Sequence, residues 1–277
     1  MIIGSLTTIS CRINYIYQVI ESLYNQTMKI DKVYLFISKE SFLLDEGITT
    51  VPNNLQKYID NNFLIIEYVK NHGPYRKFIP ILQKFKNEDI ILTFFDDDWI
   101  YPKMLIEKMF ETFKNFQNNF ISMNAPKISY DSNGYINFEE KRNKKNKKNK
   151  INFKDKTFYN PNEPRLDLWT NNGYGVMFKS NLIQDEELFN SDKYLSITPE
   201  KDEVWWNAIL KKNKIKIVVV DSKYQKSGEI KPLGTKWHEK DGLYRLISSN
   251  KSLSSDLKWN SHEYKDAVNK LKEYYKI

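Results

Sequence analysis

Short apolar runs separated by spans of helical periodicity set the pattern of this chain from its first residues. IIGSLTTI (2–9) is mostly apolar and β-branched, is bounded by the polar SCRIN, and predicts a buried strand. Apolar positions at 15, 16, 19, 20, 23 and 24 then recur at the spacing of one helix face. KVYLFIS (32–38) predicts a second strand, residues 52–59 a short helix carrying Leu55, Tyr58 and Ile59, and FLIIEYV (63–69) a third strand. After NHGP, the positions of Phe78, Ile79, Leu82 and Phe85 predict a helix. DIILTFF (89–95) is nearly all apolar, as a strand covered on both faces should be.

Past Pro102 a helix rich in Met, Leu and Phe extends to about residue 116, followed by a strand at FISMN (120–124). Residues 125–168 have no clear periodicity and are basic, which reads as an insertion or mobile loop within one domain. WTNNGYGVMF (169–178) predicts a glycine-containing bend that leads into a strand. PEKDEVWWNAILKK (199–212) predicts a helix, with proline at its start, acids in its first turn and lysines in its last, as the helix dipole favours. KIVVV (216–220) reads as a strand and residues 264–275 as a terminal helix, and no internal repeat emerges. Strands alternating with helices at this spacing imply an α/β fold, a mostly parallel sheet with helices on both faces. In such open sheets ligands bind beyond the carboxyl ends of the strands, and residues 8–12, 71–77 and 96–98 all fall at such ends.

Composition adds bounds. The chain has 277 residues, 40% of them hydrophobic, enough for a substantial core. Its formal charge of +8 suits an anionic partner, but much of that charge is local: KRNKKNKKNK (141–150) holds seven basic residues and no acid. That run reads as a solvated loop, or as a peripheral tether to anionic lipid headgroups. Cys11 stands alone, which excludes an internal disulfide and fits a reducing compartment. No stretch reaches the roughly 18 uninterrupted apolar residues of a membrane span, and the start lacks a basic stretch leading into an apolar run. The expected location is the cytoplasm, at the inner face of the membrane if the lysine run acts as a tether.

The run Asp96, Asp97, Asp98 at the end of an apolar strand concentrates negative charge that must be solvated or neutralised. In an extended tip alternate side chains share a side, so Asp96 and Asp98 should project together and Asp97 away from them, where substitution should be better tolerated. Two such carboxylates suit a hard divalent cation whose other positions are filled by water and phosphate oxygens. Arg12, Arg76 and Lys77 lie at the same sheet edge, and cations are not what a helix N-terminus prefers. A diphosphate bridged by metal on one side and by Arg or Lys on the other would account for both sets of charges.

GSLTTISCRI, SLYNQT, NHGPYRKFIPIL, FFDDDWIYP, NNGYGVMF and KDEVWW occur in the order seen in family 2-like glycosyltransferases, and over roughly residues 2–240 the chain resembles that group. The resemblance implies a GT-A, Rossmann-like α/β/α sandwich in one domain. Residues 1–124 would form the nucleotide-binding half, 125–168 the basic insertion, 169–240 the acceptor-binding and catalytic half, and 241–277 a helical tail. It implies hexosyl transfer from a nucleotide-diphospho-sugar, UDP-linked, to a glycan or lipid-linked acceptor, with inversion, in surface polysaccharide or lipopolysaccharide synthesis. Asp96 and Asp98 would be the DxD pair. Asp98 would ligate Mn2+ or Mg2+, and Asp96 would contact the ribose or complete the metal shell. Thr8, Arg12 and Lys77 would bind the nucleotide diphosphate, with Asp97 grouped among the nucleotide-binding residues by its place in the run.

Inverting members of the group place an acid at the start of the later helix to take the acceptor proton, which corresponds here to Asp202 or Glu203. Glu203 is the first choice, because the second member of such a pair often acts. Gly173 and Gly175 match a segment near the acceptor pocket, Trp205 or Trp206 would offer a stacking surface for a sugar ring, and His238 lies where some GT-A enzymes supply a metal ligand. Three other readings compete. A nucleotidyltransferase would need a glycine-rich phosphate loop after the first strand, but there is no glycine between Ser5 and Arg12. A basic nucleic-acid-binding protein would leave the aspartate run unexplained. A non-catalytic sugar-nucleotide or glycan binder would keep the same residues.

Overall fold

The computed structural model describes residues 1–130, 132, 136–138, 163–220, 231–232 and 262–275. β1 (Ile2–Thr7), α1 (Ile16–Tyr24), β2 (Lys32–Ile37), α2 (Gln56–Asp60), β3 (Leu64–Tyr68), α3 (Ile79–Phe85) and β4 (Ile91–Phe94) alternate first. Then come β5 (Trp99–Ile100), α4 (Leu105–Asn115), β6 (Phe120–Ser122), β7 (Ile128–Tyr130), β8 (Ile136–Phe138) and β9 (Val176–Lys179). α5 (Ser191–Ile197), α6 (Asp202–Lys212), β10 (Ile217–Val219), β11 (Lys231–Pro232) and α7 (His262–Tyr275) complete the order. Seven strands form one sheet in the order β10-β6-β9-β4-β1-β2-β3.

The continuous apolar character of the strands follows from burial on both faces. Successive side chains on a strand point to opposite sides, so Ile3, Phe36, Leu92 and Phe94 join one core while Leu6, Leu35, Ile37 and Met177 join the other. On one side α1 and α4 cover the sheet with Val19, Ile20, Leu23, Ile106 and Met109. On the other, α3 and α6 cover it with Ile81, Leu82, Val204 and Trp206. The result is the α/β/α sandwich expected from the periodicity.

Five features depart from the expectations. β9 runs antiparallel between β4 and β6, with Val176 opposite Phe94. Because of that reversed direction its beginning, and the turn before it, lie at the carboxyl end of β4. The 125–168 segment, expected to be irregular, contains the hairpin β7–β8, with Ser129 opposite Asn137. α5 precedes α6 without having been foreseen, and residues 231–232 pair antiparallel with β5. Finally, Gly73–Lys77 is a 3-10 turn and not a helix start; α3 begins only at Ile79. Gly73 sits at φ +59°, a conformation glycine adopts without the steric cost of a Cβ, and this turns the chain sharply at the sheet edge.

Among the described residues no helix is long and apolar enough to cross a membrane. The lysine run at 141–150 and His238 lie outside the described residues.

Candidate active site

A cavity of about 250 Å³ opens at the carboxyl ends of the central strands. β1 ends at Thr7, and the turn after it supplies Thr8 and Arg12; the 3-10 turn supplies Arg76 and Lys77; β4 leads into Asp96, Asp97 and Asp98. The turn before β9 adds Asn171 to Tyr174, and the start of α6 adds Glu200, Asp202 and Glu203. Three basic side chains thus face six carboxyl groups.

The cations are not idle. Arg12 Nη1 lies 2.5 Å from Asp97 Oδ1, and Thr8 Oγ1 donates to Asp97 Oδ2 at 2.7 Å. Burial works against the Arg12 charge, but Asp97 and Asp98 outweigh it and hold the guanidinium above its usual pKa. Lys77 Nζ sits 2.7 Å from Asp96 Oδ1 and 2.9 Å from Asp202 Oδ2, joining the end of β4 to the start of α6. Its burial likewise favours the neutral amine, and the two carboxylates reverse that and raise its pKa. Arg76 is 1% exposed and pairs with the equally buried Asp45 at 2.8 Å, while donating to the carbonyl of Thr8 at 3.1 Å. The anion near Arg76 is therefore a side chain of the protein, from a loop whose LLDEG sequence carries no recognisable signal.

Asp97 does not point away from its neighbours. The chain turns at Asp97–Asp98 and does not remain extended, so strand alternation fails there and all three aspartates line the cavity. Asp97→Asn keeps the shape but removes the charge opposite Arg12. It is expected to lower stability by about 1.5–3 kcal/mol, the worth of a charge-assisted hydrogen bond, measurable by urea denaturation.

Two cavity carboxylates have a buried oxygen without a hydrogen-bond partner, Asp98 Oδ1 and Asp202 Oδ2, and the second of these lies 2.9 Å from Lys77 Nζ. Burial, opposed by Arg12, pushes the pKa of Asp98 up to about 7. Glu203 is also pushed up to about 7, by burial and then by Asp202, with Lys201 and Lys77 opposing. Burial raises Asp202 as well, against the pull of Lys77.

Gly173 lines the cavity, and a Cβ there would collide with Asp96 Oδ2, so only glycine lets this turn press against the carboxylate. Tyr101 fixes the arrangement: its hydroxyl accepts from Asp96 N at 2.9 Å and donates to Gly173 O at 2.8 Å. Gly175 is a different case. At φ +105°, with the space of its missing side chain next to Leu105 and Met109, it serves the bend and the core, not the cavity. Nor does Trp205 reach the cavity. It is wholly buried, donates to Leu188 O at 3.2 Å and packs near Tyr194 and Tyr275. Trp206 is buried on the sheet side against Phe78, Phe94, Phe120 and Phe178. α6 is sandwiched between the sheet and other helices, so neither of its adjacent tryptophans is left for a ligand.

Behind the cavity, Tyr75 stacks on Tyr194 with centroids 4.1 Å apart and donates to Thr198 O at 2.7 Å. His72 Nδ1 meets Tyr194 Oη at 2.6 Å. This staple ties the approach to α6 onto the turn carrying Lys77. Sequence reasoning missed Asp45, Tyr101, Asn172 and Tyr174. Only the asparagine pair beside Gly173 left a trace, as a turn signal.

The model of the family described as glycosyl transferase family 2 matches residues 8–183, and the chain belongs to that family. No match is found among curated proteins. Among solved structures, Staphylococcus aureus TarS 1–349 in complex with UDP is 12% identical, with 100% of this chain and 72% of that one covered at TM-score 0.47. 4-Diphosphocytidyl-2C-methyl-D-erythritol synthase from Anaerococcus prevotii is 11% identical, covering 89% and 98% at TM-score 0.44. CMP:2-keto-3-deoxy-manno-octonic acid synthetase complexed with CTP is also 11% identical, covering 79% and 88% at TM-score 0.40. The assignment rests on the family match and not on these distant likenesses.

Proposed function

We propose that this family 2 protein transfers a hexosyl group from a UDP-linked sugar to a hydroxyl of a glycan or lipid-linked acceptor, with inversion. We place it in surface polysaccharide or lipopolysaccharide synthesis on the cytoplasmic side of the membrane. The observation that carries the reading is the charge balance of the cavity. Six carboxyl groups outnumber three cations, each of those cations already faces a carboxylate, and Asp98 Oδ1 is buried without a partner. A diphosphate entering alone would meet net repulsion, whereas a diphosphate entering with a divalent cation would not.

The oxygen donors fit such a cation. Among the described residues no three His, Cys, Asp or Glu side chains converge as a complete metal site. Asp98 and Asp96 would therefore hold Mn2+ or Mg2+, with phosphate and water oxygens completing the shell. When bound, the cation neutralises charge on the departing nucleoside diphosphate.

The residues of the chain do the rest. Thr8 and Arg12, fixed on Asp97, bind the nucleotide side of the diphosphate, and Lys77 contributes a buried positive charge beside it. Glu203 accepts the proton of the acceptor hydroxyl. Both acids at the start of α6 line the cavity, but Asp202 is held by Lys77, whereas Glu203 has a pKa near the pH at which a general base works best.

The test is a binding and donor-hydrolysis screen across nucleotide sugars with and without Mn2+, repeated with Asp98→Ala. Metal-dependent binding and turnover of one donor are expected, with the metal-dependent part lost in Asp98→Ala. Absence of binding to every nucleotide sugar in the presence of metal would overturn the proposal. Binding with neither hydrolysis nor transfer would make the protein a non-catalytic sugar-nucleotide binder.

A further inference from the structure

The burial of Trp205 and Trp206 leaves the cavity without the stacking surface expected of α6, and the structure supplies another. Among the described residues, Trp99 and Tyr174 are the two aromatic side chains that line the cavity. Both are half-buried, and their ring centroids lie 4.5 Å apart with the planes tilted by 44°. They come from different elements, and each is held in place. Trp99 belongs to β5, which pairs with residues 231–232. Tyr174 ends the turn before β9, where Asn171 Oδ1 accepts from Gly173 N at 3.2 Å and Tyr101 donates to Gly173 O. Tight packing of Gly173 against Asp96 keeps any side chain at that position from separating the ring pair from the carboxylates.

Asn172 stands in the same lining. It is 2% exposed, and its amide Nδ2 is buried with no hydrogen-bond partner. A buried amide donor left unpaired is destabilising, and an incoming hydroxyl or carbonyl oxygen would satisfy it. Glu200 adds an exposed acceptor at the same cavity.

The geometry points to Trp99, Tyr174 and Asn172 as a subsite for a pyranose ring of the acceptor, so that the acceptor is a sugar-bearing molecule recognised through its terminal ring. The inference rests on the glycosyltransferase reading above. A pyranose has an apolar C–H face, which suits an aromatic surface, and hydroxyls around its rim, which suit an amide donor and a carboxylate. A free acyl chain would need a longer apolar lining than this largely charged cavity offers. A serine or threonine hydroxyl on a peptide has no flat face to stack.

The experiment is saturation-transfer NMR with the methyl pyranosides of glucose, galactose and N-acetylglucosamine, each with UDP and the diamagnetic Mg2+ present. It is run on the full chain, on Trp99→Ala, on Trp99→Phe and on Asn172→Ala, with thermal unfolding to confirm that each variant is folded. At least one pyranoside is expected to receive saturation on one ring face. That signal should fall about tenfold in Trp99→Ala, the upper worth of one aromatic stack, and largely return in Trp99→Phe. Asn172→Ala should weaken it without changing which face is saturated.

No pyranoside signal while UDP binds normally would overturn the subsite, as would a signal equal in Trp99→Ala and the parent. Loss of UDP binding in folded Trp99→Ala, with the pyranoside signal retained, would also overturn it, by assigning the ring to the nucleobase. A pyranoside signal that depends on Trp99 in a protein that binds no nucleotide would uphold the subsite and overturn the glycosyltransferase reading instead.

Discussion

Lys77→Met is expected to abolish nucleotide-sugar turnover and to cost about 3–5 kcal/mol of stability at pH 8, the range for leaving one member of a buried ion pair alone. Lys77 is the only cation paired with both Asp96 and Asp202 among the described residues, and Asp202 is at least as buried as Lys77 itself. Methionine fills a similar volume, so the loss reads charge and not packing. The pH dependence separates the two contributions. Lys77 has a pKa raised above 10.5, so in the parent its contribution is fully present below that value and is lost only as the pH rises through the higher folded value. Between pH 5 and 8 the parent therefore keeps this contribution. The variant retains a buried carboxylate with no counter-charge, which protonation relieves, so its deficit should be smaller at pH 5 than at pH 8. Urea denaturation at the two pH values measures this. A deficit independent of pH would mean that Asp202 does not ionise in the fold.

Glu203→Gln is expected to lower kcat by about 10²–10⁴-fold while leaving nucleotide affinity nearly intact, the loss typical of removing a general base. In the parent, transfer should fall as the pH drops through about 7, because Glu203 is pushed to that value by burial and by Asp202 and must be ionised to take a proton. The glutamine variant should lose this limb of the profile. Its stability should move the other way. The folded pKa lies above the usual 4.5, so the folded protein holds a proton that the unfolded chain has released, and ionising Glu203 at pH 8 costs stability. Glutamine carries no charge, so Glu203→Gln should unfold at a higher temperature than the parent at pH 8. Asp202→Asn is the control: it should destabilise by leaving Lys77 short of a partner. A kcat loss in Asp202→Asn with none in Glu203→Gln would move the base to Asp202.

Much of the fold was legible because hydrophobic periodicity is a local code. The runs at 2–9, 32–38, 63–69 and 89–95 predicted strands that the structure contains as β1, β2, β3 and β4, and each helical spacing between them found its helix. The hairpin inside 125–168 escaped because its strands are three residues long, too short to show alternation. Gly73–Lys77 reads as a helix start in the sequence because a 3-10 turn and a first helical turn share the same proline and glycine signals. At the cavity, residue type and nearness to strand ends brought Thr8, Arg12, Lys77, Asp96, Asp98, Asp202, Glu203 and Gly173 into consideration, and all of them line it. Gly175 and Trp205 were grouped with them by motif, and both belong to the core.

A sheet covered on both faces, and the edge at which charged residues gather, follow from local pattern, from side chains repeating every two or 3.6 positions. Which charge meets which follows only from the folded arrangement. Arg12 and Asp97 are 85 positions apart, Thr8 and Asp97 89, and nothing in either neighbourhood specifies the other. The folded arrangement also sets the reversed entry of β9 into the sheet. That reversal delivers Asn172, Gly173 and Tyr174 to the carboxylates, and strand direction is set by pairing between distant segments and not by the composition of any one of them.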